Sequence, residues 1–103
     1  KKVCQEMGLI PEIGPRYRTT YFNHIFSSGY SAGYYGYLWA EVLDKDLFSM
    51  FEATGNVWNK ELATKFRQTF LEKGGSEEPM KLFQQFAGRL PDNTAFLKRR
   101  GLK

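Results

Sequence analysis

Apolar side chains recur at every fourth position through the middle of the chain, the spacing of a helix that buries one face. The stripe consists of Tyr35, Trp39, Leu43, Leu47 and Phe51. The pattern predicts a long helix over residues 32–54 and a core along this stripe. Ser31 is placed to cap the start of the helix, and Gly55 is placed to end it.

The first half of this helix is apolar on nearly every side, because Tyr34, Leu38 and Val42 widen the stripe. Such a helix is typical of the interior of a larger body. A chain of 103 residues cannot easily cover it. We therefore expect the isolated chain to expose an apolar patch and to self-associate.

Glycines, prolines and capping residues divide the rest of the chain. We expect a connector over 1–18, a Gly/Tyr loop over 19–31, and helices over 59–73, 77–88 and 94–100. Asn59 and Ser76 are the expected N-caps of the first two of these helices, and Gly88 is placed to end the second. No segment shows the sustained alternation of a strand. The fold class is mainly α, a small bundle of about four helices in one segment, 1–103.

The formal net charge is +4, and basic residues crowd the C-terminus. The four cations there are Lys98, Arg99, Arg100 and Lys103. A nucleic-acid contact is one interpretation, but no second basic cluster supports it. Cations also suit the negative pole at a helix end. We expect no nucleic-acid partner.

Neither a membrane segment nor a secretory leader is expected from the sequence. The longest run without a charged residue or histidine, 25–40, contains serines and glycines and is too short for a bilayer. The first ten residues lack the apolar core of a signal peptide. Cys4, the single cysteine, cannot form an internal disulfide, which fits a reducing compartment. We expect a cytoplasmic protein with no membrane partner.

The histidine and tyrosines of "HIFSSGYSAGYYGYLWAEV" are the candidates for chemistry. A single histidine excludes the usual self-contained zinc sites. If the segment is roughly helical, Tyr30, Tyr34 and Tyr37 share one face, and their hydroxyls could bond a peptide backbone or a developing oxyanion. Core packing is the simpler interpretation of an aromatic row, and a structural or exposed role is the simpler one for His24.

Three stretches, in order, resemble the C-terminal end of the thimet oligopeptidase family of zinc metallopeptidases. They are "PRYRTTYFNHIFSSGYSAGYYGYLWAEVLDKDLFSMF", "FRQTFLEKGGSEEPMKLFQQFAGRLP" and "FLKRRGL". Within the family, the spacing from His24 to Tyr30 is most similar to the bacterial dipeptidyl carboxypeptidases, also called peptidyl-dipeptidases. The resemblance implies that the chain is the C-terminal part of a larger α-helical catalytic domain, called here the parent enzyme.

The resemblance also implies roles for particular residues. The family's zinc is bound by a His-Glu-x-x-His helix and a later glutamate, all upstream of this segment, so the chain by itself should bind no metal and hydrolyse nothing. His24 and Tyr37 match residues that stabilise the tetrahedral intermediate, and Tyr30 matches a substrate-binding tyrosine. Tyr34 matches a further tyrosine, and Gly29 belongs to a loop that brings Tyr30 onto bound peptide. The implied partners are a peptide substrate and the rest of the catalytic domain.

The sequence departs from the family pattern at Ala87, where arginine is expected in a Phe-Arg-Gly-Arg run; Arg89 keeps the second arginine. Two other functions remain open. One is an autonomous helical module that binds a peptide or nucleic acid. The other is a purely structural domain, in which the three tyrosines would be buried and His24 would lie far from them.

Overall fold

A computed structural model describes residues 2–27 and 29–102. The chain divides into two compact units, Lys1–Tyr35 and Gly36–Lys103, called here the N-terminal and C-terminal units. Every regular element of the described residues is helical, which confirms the mainly α class. Within those residues, no helix has both the length and the apolar character needed to cross a bilayer.

The N-terminal unit contains short helical pieces where the sequence predicts a connector and a loop. These are α1 (Lys2–Glu6), a 3-10 turn (Thr19–Tyr21) and α2 (Asn23–Ser27). After α2, residues 29–35 form consecutive turns. The carbonyl oxygen of Tyr30 accepts hydrogen bonds from the N–H groups of Gly33 and Tyr34, each at 3.1 Å. Ser28 lies outside the described residues.

The long helix α3 (Gly36–Ala53) begins at residue 36 rather than at 32. Ser31 lies in the preceding turns and is not its cap. The closely spaced glycines before α3 disfavour helix, because glycine loses more backbone entropy than any other residue on becoming helical. The predicted end is confirmed: Gly55 adopts a positive φ of 71°, and its N–H bonds the carbonyl of Glu52 at 3.0 Å.

Helix α4 (Lys60–Phe66) continues into a π-helical turn, Arg67–Leu71. Asn59 caps it as predicted, since its side chain accepts the Leu62 N–H at 2.9 Å.

Helix α5 (Pro79–Ala87) starts two residues later than predicted, and its N-cap is Glu78 rather than Ser76. Proline suits the first turn of a helix, where its missing N–H leaves no bond unmade. Gly88 ends α5 in the left-handed conformation, with φ of 72°. The last helix is α6 (Thr94–Arg99).

A cluster of aromatic rings forms the core of the C-terminal unit, with centroid separations of 5.2 to 6.5 Å. Its members are Phe51, Phe66, Phe70 and Phe86. Phe86 is almost fully buried, as are Leu82 and Phe83. The core therefore collects around α5 and the C-terminal half of α3.

The predicted core stripe is wrong at its N-terminal end. Tyr35 is 73% exposed and Trp39 is 49% exposed, and Leu38 beside them is 54% exposed. The predicted helical spacing is correct, but too few residues of this chain pack against the first turns of α3 to bury these side chains. The result is the expected exposed apolar patch; self-association stays a prediction.

Candidate functional site

The N-terminal unit brings together three of the residues that the sequence singles out. The ring of His24 lies 5.5 Å from that of Tyr34 and 6.1 Å from that of Tyr30, measured between centroids. The rings of Tyr30 and Tyr34 are 6.3 Å apart. We call this group the His–Tyr triangle. All three pairs meet edge to face, the arrangement that aromatic quadrupoles favour.

Tyr34 is the packed member of the triangle. It is partly buried, and its ring meets that of Phe22 at 4.9 Å. Phe22 in turn contacts Tyr17 at 4.8 Å. His24 is exposed, and Tyr30 is 38% exposed. An aromatic cluster therefore supports two polar side chains that solvent, or a ligand, can reach.

Turns, rather than a helical face, assemble the triangle. His24 is the second residue of α2, and the carbonyl of Tyr30 closes the turn that carries Tyr34. Gly29 lies at the start of these turns; a Cβ added there would meet no atom within 4 Å. Tyr37 belongs to the C-terminal unit, as the second residue of α3, and is 57% exposed.

A purely structural domain, the last of the functions left open by the sequence, would bury the three tyrosines and keep His24 away from them. Tyr30 and Tyr37 are exposed, and His24 contacts both Tyr30 and Tyr34. The structure therefore disfavours that function.

Asp46 is a buried carboxylate in the C-terminal unit, with 2% exposure, that the sequence did not single out. Arg89 donates from both terminal nitrogens, to Oδ2 at 2.7 Å and Oδ1 at 2.5 Å, and the Asp92 N–H donates to Oδ2 at 2.6 Å. The forked geometry suits a guanidinium and a carboxylate. The sequence does carry a signal for its burial, because Asp46 follows Leu38 and Val42 at a spacing of four and so lies on the same apolar face of the helix. Arg89, the arginine that this sequence keeps beside Ala87, makes the ion pair with Asp46.

The pKa of Asp46 lies below its ordinary value. Burial by itself raises this pKa, but the hydrogen bonds from Arg89 and the Asp92 N–H, with the positive charge of Arg89, outweigh burial. The same bond raises the pKa of Arg89. Asp46 is therefore held as the anion.

This lowered pKa predicts loss of stability in acid. A carboxylate whose pKa is lower in the folded than in the unfolded state stabilises the fold fully above its unfolded pKa, about 3.9. Its contribution is lost as the pH falls through the folded value. Urea unfolding of the chain and of Asp46→Asn between pH 7 and pH 3 should give a stability difference that shrinks below about pH 4. A difference independent of pH would contradict the assignment.

The C-terminal unit also carries an open groove of about 980 Å³ beside the Asp46–Arg89 pair. It is lined by residues of α3, α6 and the loop between α5 and α6, and none of the predicted histidine and tyrosine residues is among them. Four of the charged residues that line the groove form ion pairs with each other. Asp46 pairs with Arg89, and Glu52 pairs with Arg99.

Comparison with known proteins identifies the family. A sequence profile described as Peptidase family M3 matches residues 1–102. The chain belongs to peptidase family M3. This confirms the resemblance to the thimet oligopeptidase family.

Relatives of this M3 segment bear two kinds of name. Oligopeptidase A of Escherichia coli is 52% identical over 82 residues, 80% of this chain and 12% of the relative. Dipeptidyl carboxypeptidase of the same organism is 42% identical over 100 residues, 97% of this chain and 14% of the relative. Probable cytosolic oligopeptidase A of Arabidopsis thaliana is 48% identical over 84 residues, 79% of this chain and 12% of the relative. The chain spans about an eighth of the length of these relatives.

The described part of the M3 segment contains no group of three or more histidine, cysteine, aspartate or glutamate side chains that could hold a metal ion. Residues 2–27 and 29–102 therefore do not fit a zinc site by themselves.

Proposed function

We propose that the chain is part of a cytoplasmic zinc metallopeptidase that hydrolyses short peptides, and that it supplies substrate-binding and oxyanion-stabilising residues. The observation that carries the proposal is the His–Tyr triangle, on a chain of peptidase family M3. Relatives named oligopeptidase and dipeptidyl carboxypeptidase support a peptide as the substrate. A plant relative named as cytosolic supports the compartment.

In this proposal, His24 and Tyr37 donate hydrogen bonds to the oxygen that becomes negative when water attacks the scissile carbonyl. An imidazole N–H and a phenol O–H are suitable donors. Such donors accelerate the reaction when they are positioned before the charge develops. The edge-to-face contacts of His24 with Tyr30 and Tyr34 limit the orientations of its ring.

Tyr30 and Tyr34 then bind the peptide. The exposed Tyr30 bonds the substrate backbone, and Tyr34, packed on Phe22, fixes the ring positions of its two neighbours. Gly29 gives the turn the backbone freedom to bring Tyr30 onto bound peptide. Space around Gly29 supports this role, because the glycine is not required to avoid a steric clash.

The parent enzyme's zinc and its ligands are proposed to lie outside this chain, so the chain alone is inactive. Because some relatives are named oligopeptidase and others dipeptidyl carboxypeptidase, two modes of cleavage are open for the parent enzyme. One is release of C-terminal dipeptides, and the other is internal cleavage of oligopeptides. The proposal covers either mode, since the donors act on the scissile carbonyl in both.

Peptidase assays test the proposal. The isolated chain with added zinc should not hydrolyse a fluorogenic short peptide. In the parent enzyme, His24→Gln should lower kcat about 10²-fold, and Tyr30→Phe should raise KM. The matched control is Tyr21→Phe, because Tyr21 is an exposed tyrosine of the same unit that lies outside the triangle.

Hydrolysis by the isolated chain would show a catalytic site of another kind. If His24→Gln and Tyr21→Phe have the same small effect, the triangle has no catalytic role. If peptide binds the isolated chain tightly and is never cleaved by the parent, an autonomous binding module is the better description.

A further inference from the structure

One face of α3 carries Tyr37 and three residues that contact the arginines at the end of α6. These three are Glu41, Phe48 and Glu52. Steps of four and seven residues return a helix to within about 40° of the same direction. Tyr37, Glu41, Phe48 and Glu52 therefore form one stripe. Tyr37 is at its N-terminal end, about 6 Å along the axis from Glu41.

Two consecutive arginines at the end of α6 hold this stripe. The Nη2 atom of Arg99 bonds Glu52 at 2.8 Å, and its guanidinium lies 5.5 Å from the ring centre of Phe48. The Nη2 atom of Arg100 bonds Glu41 at 2.6 Å. The two pairs are separated by eleven residues of α3, about 16 Å.

The backbone that presents Arg100 is itself fixed. Its N–H bonds the carbonyls of Phe96 and Leu97 at 3.1 Å each, and the Leu102 N–H returns to the Leu97 carbonyl at 3.0 Å. Gly101 has a positive φ of 71° and completes this helix end. Arg100 therefore reaches Glu41 from a backbone position that hydrogen bonds at the end of α6 hold in place.

The start of α3 has little apolar cover in this chain. Leu38 and Trp39, next to Tyr37, are about half exposed. Within the C-terminal unit, the ion pair from Glu41 to Arg100 ties the Tyr37 end of α3 to the end of α6. The pair from Glu52 to Arg99 holds the other end of the helix, about 22 Å from Tyr37.

We propose that Arg100 is a positioning residue for Tyr37, acting through Glu41. This inference rests on the proposed function, which assigns Tyr37 to the oxyanion. It gives the basic C-terminus an intramolecular purpose: Arg99 and Arg100 hold a helix of the same chain. A partly exposed pair contributes little to stability, whereas a displacement of about 1 Å at a reacting group can lower the rate as much as 10²-fold.

The test uses the full-length parent enzyme and two matched variants, Arg100→Met and Arg99→Met. Both remove one guanidinium from an exposed pair with a glutamate of α3. We expect Arg100→Met to lower kcat about tenfold with KM nearly unchanged. Arg99→Met should leave kcat within about twofold, since it acts far from Tyr37. Arg100→Lys, which keeps the charge, should restore part of the loss, and thermal unfolding should show all three variants folded.

Each variant is also made on a Tyr37→Phe background. If Arg100 acts through Tyr37, then Arg100→Met has no further effect once the phenol is gone. Multiplying effects, or equal effects of Arg99→Met and Arg100→Met, would overturn the positioning role while leaving the proposed function intact. An unaffected Tyr37→Phe enzyme would instead overturn the proposed role of Tyr37, and the positioning role with it.

Discussion

Replacing Tyr37 by phenylalanine in the parent enzyme should lower kcat about 10²- to 10³-fold, the usual effect of removing one oxyanion donor. The change removes a single oxygen and keeps the ring, so packing at the start of α3 is preserved. Because the proposed bond forms in the transition state, kcat and kcat/KM should fall together. Steady-state kinetics on a short peptide measure both.

Tyr35→Phe is the matched control for this experiment. Tyr35 is two residues away, is 73% exposed and has no proposed part in the reaction. Removing the Tyr35 hydroxyl should leave kcat within about twofold of the value for the unchanged parent enzyme. A Tyr37→Phe enzyme with the kinetics of the Tyr35→Phe enzyme would reduce Tyr37 to a packing residue.

The largest expected effect on stability is that of Arg89→Met, which should lower the free energy of unfolding by about 1–3 kcal/mol at neutral pH. The substitution leaves the Asp46 carboxylate, whose side chain is only 3% exposed, without its guanidinium. A buried charge without its partner is among the costliest defects in a folded protein. Urea unfolding at pH 7 measures the loss.

Two further variants separate burial from charge pairing. Arg99→Met breaks an ion pair whose two side chains are each about half exposed, so it should cost less than about 1 kcal/mol. Adding Asp46→Asn to Arg89→Met should recover part of the lost stability, because the buried charge is gone. If Arg89→Met costs no more than Arg99→Met, the Asp46–Arg89 pair does not stabilise the fold.

The site could be predicted only in part from the sequence. The resemblance pointed to His24, Tyr30 and Tyr34, and the structure brings these three rings together. Asp46 was missed because its place in a row with Leu38 and Val42 indicates a buried position, but not the partner that allows an acid to be buried there. Its partner, Arg89, lies 43 residues away in the sequence. Long-range pairing of this kind does not appear in local patterns.

The sequence alone determined the mainly α class, the cap at Asn59, the helix ends at Gly55 and Gly88, and membership of the M3 family. These depend on local backbone preference, side-chain bonds over three residues, and motifs read in order. The tertiary structure decided which end of the α3 stripe is covered and which glutamates the C-terminal arginines reach. Those outcomes depend on contacts between segments far apart in the chain, and they settle which local preference prevails.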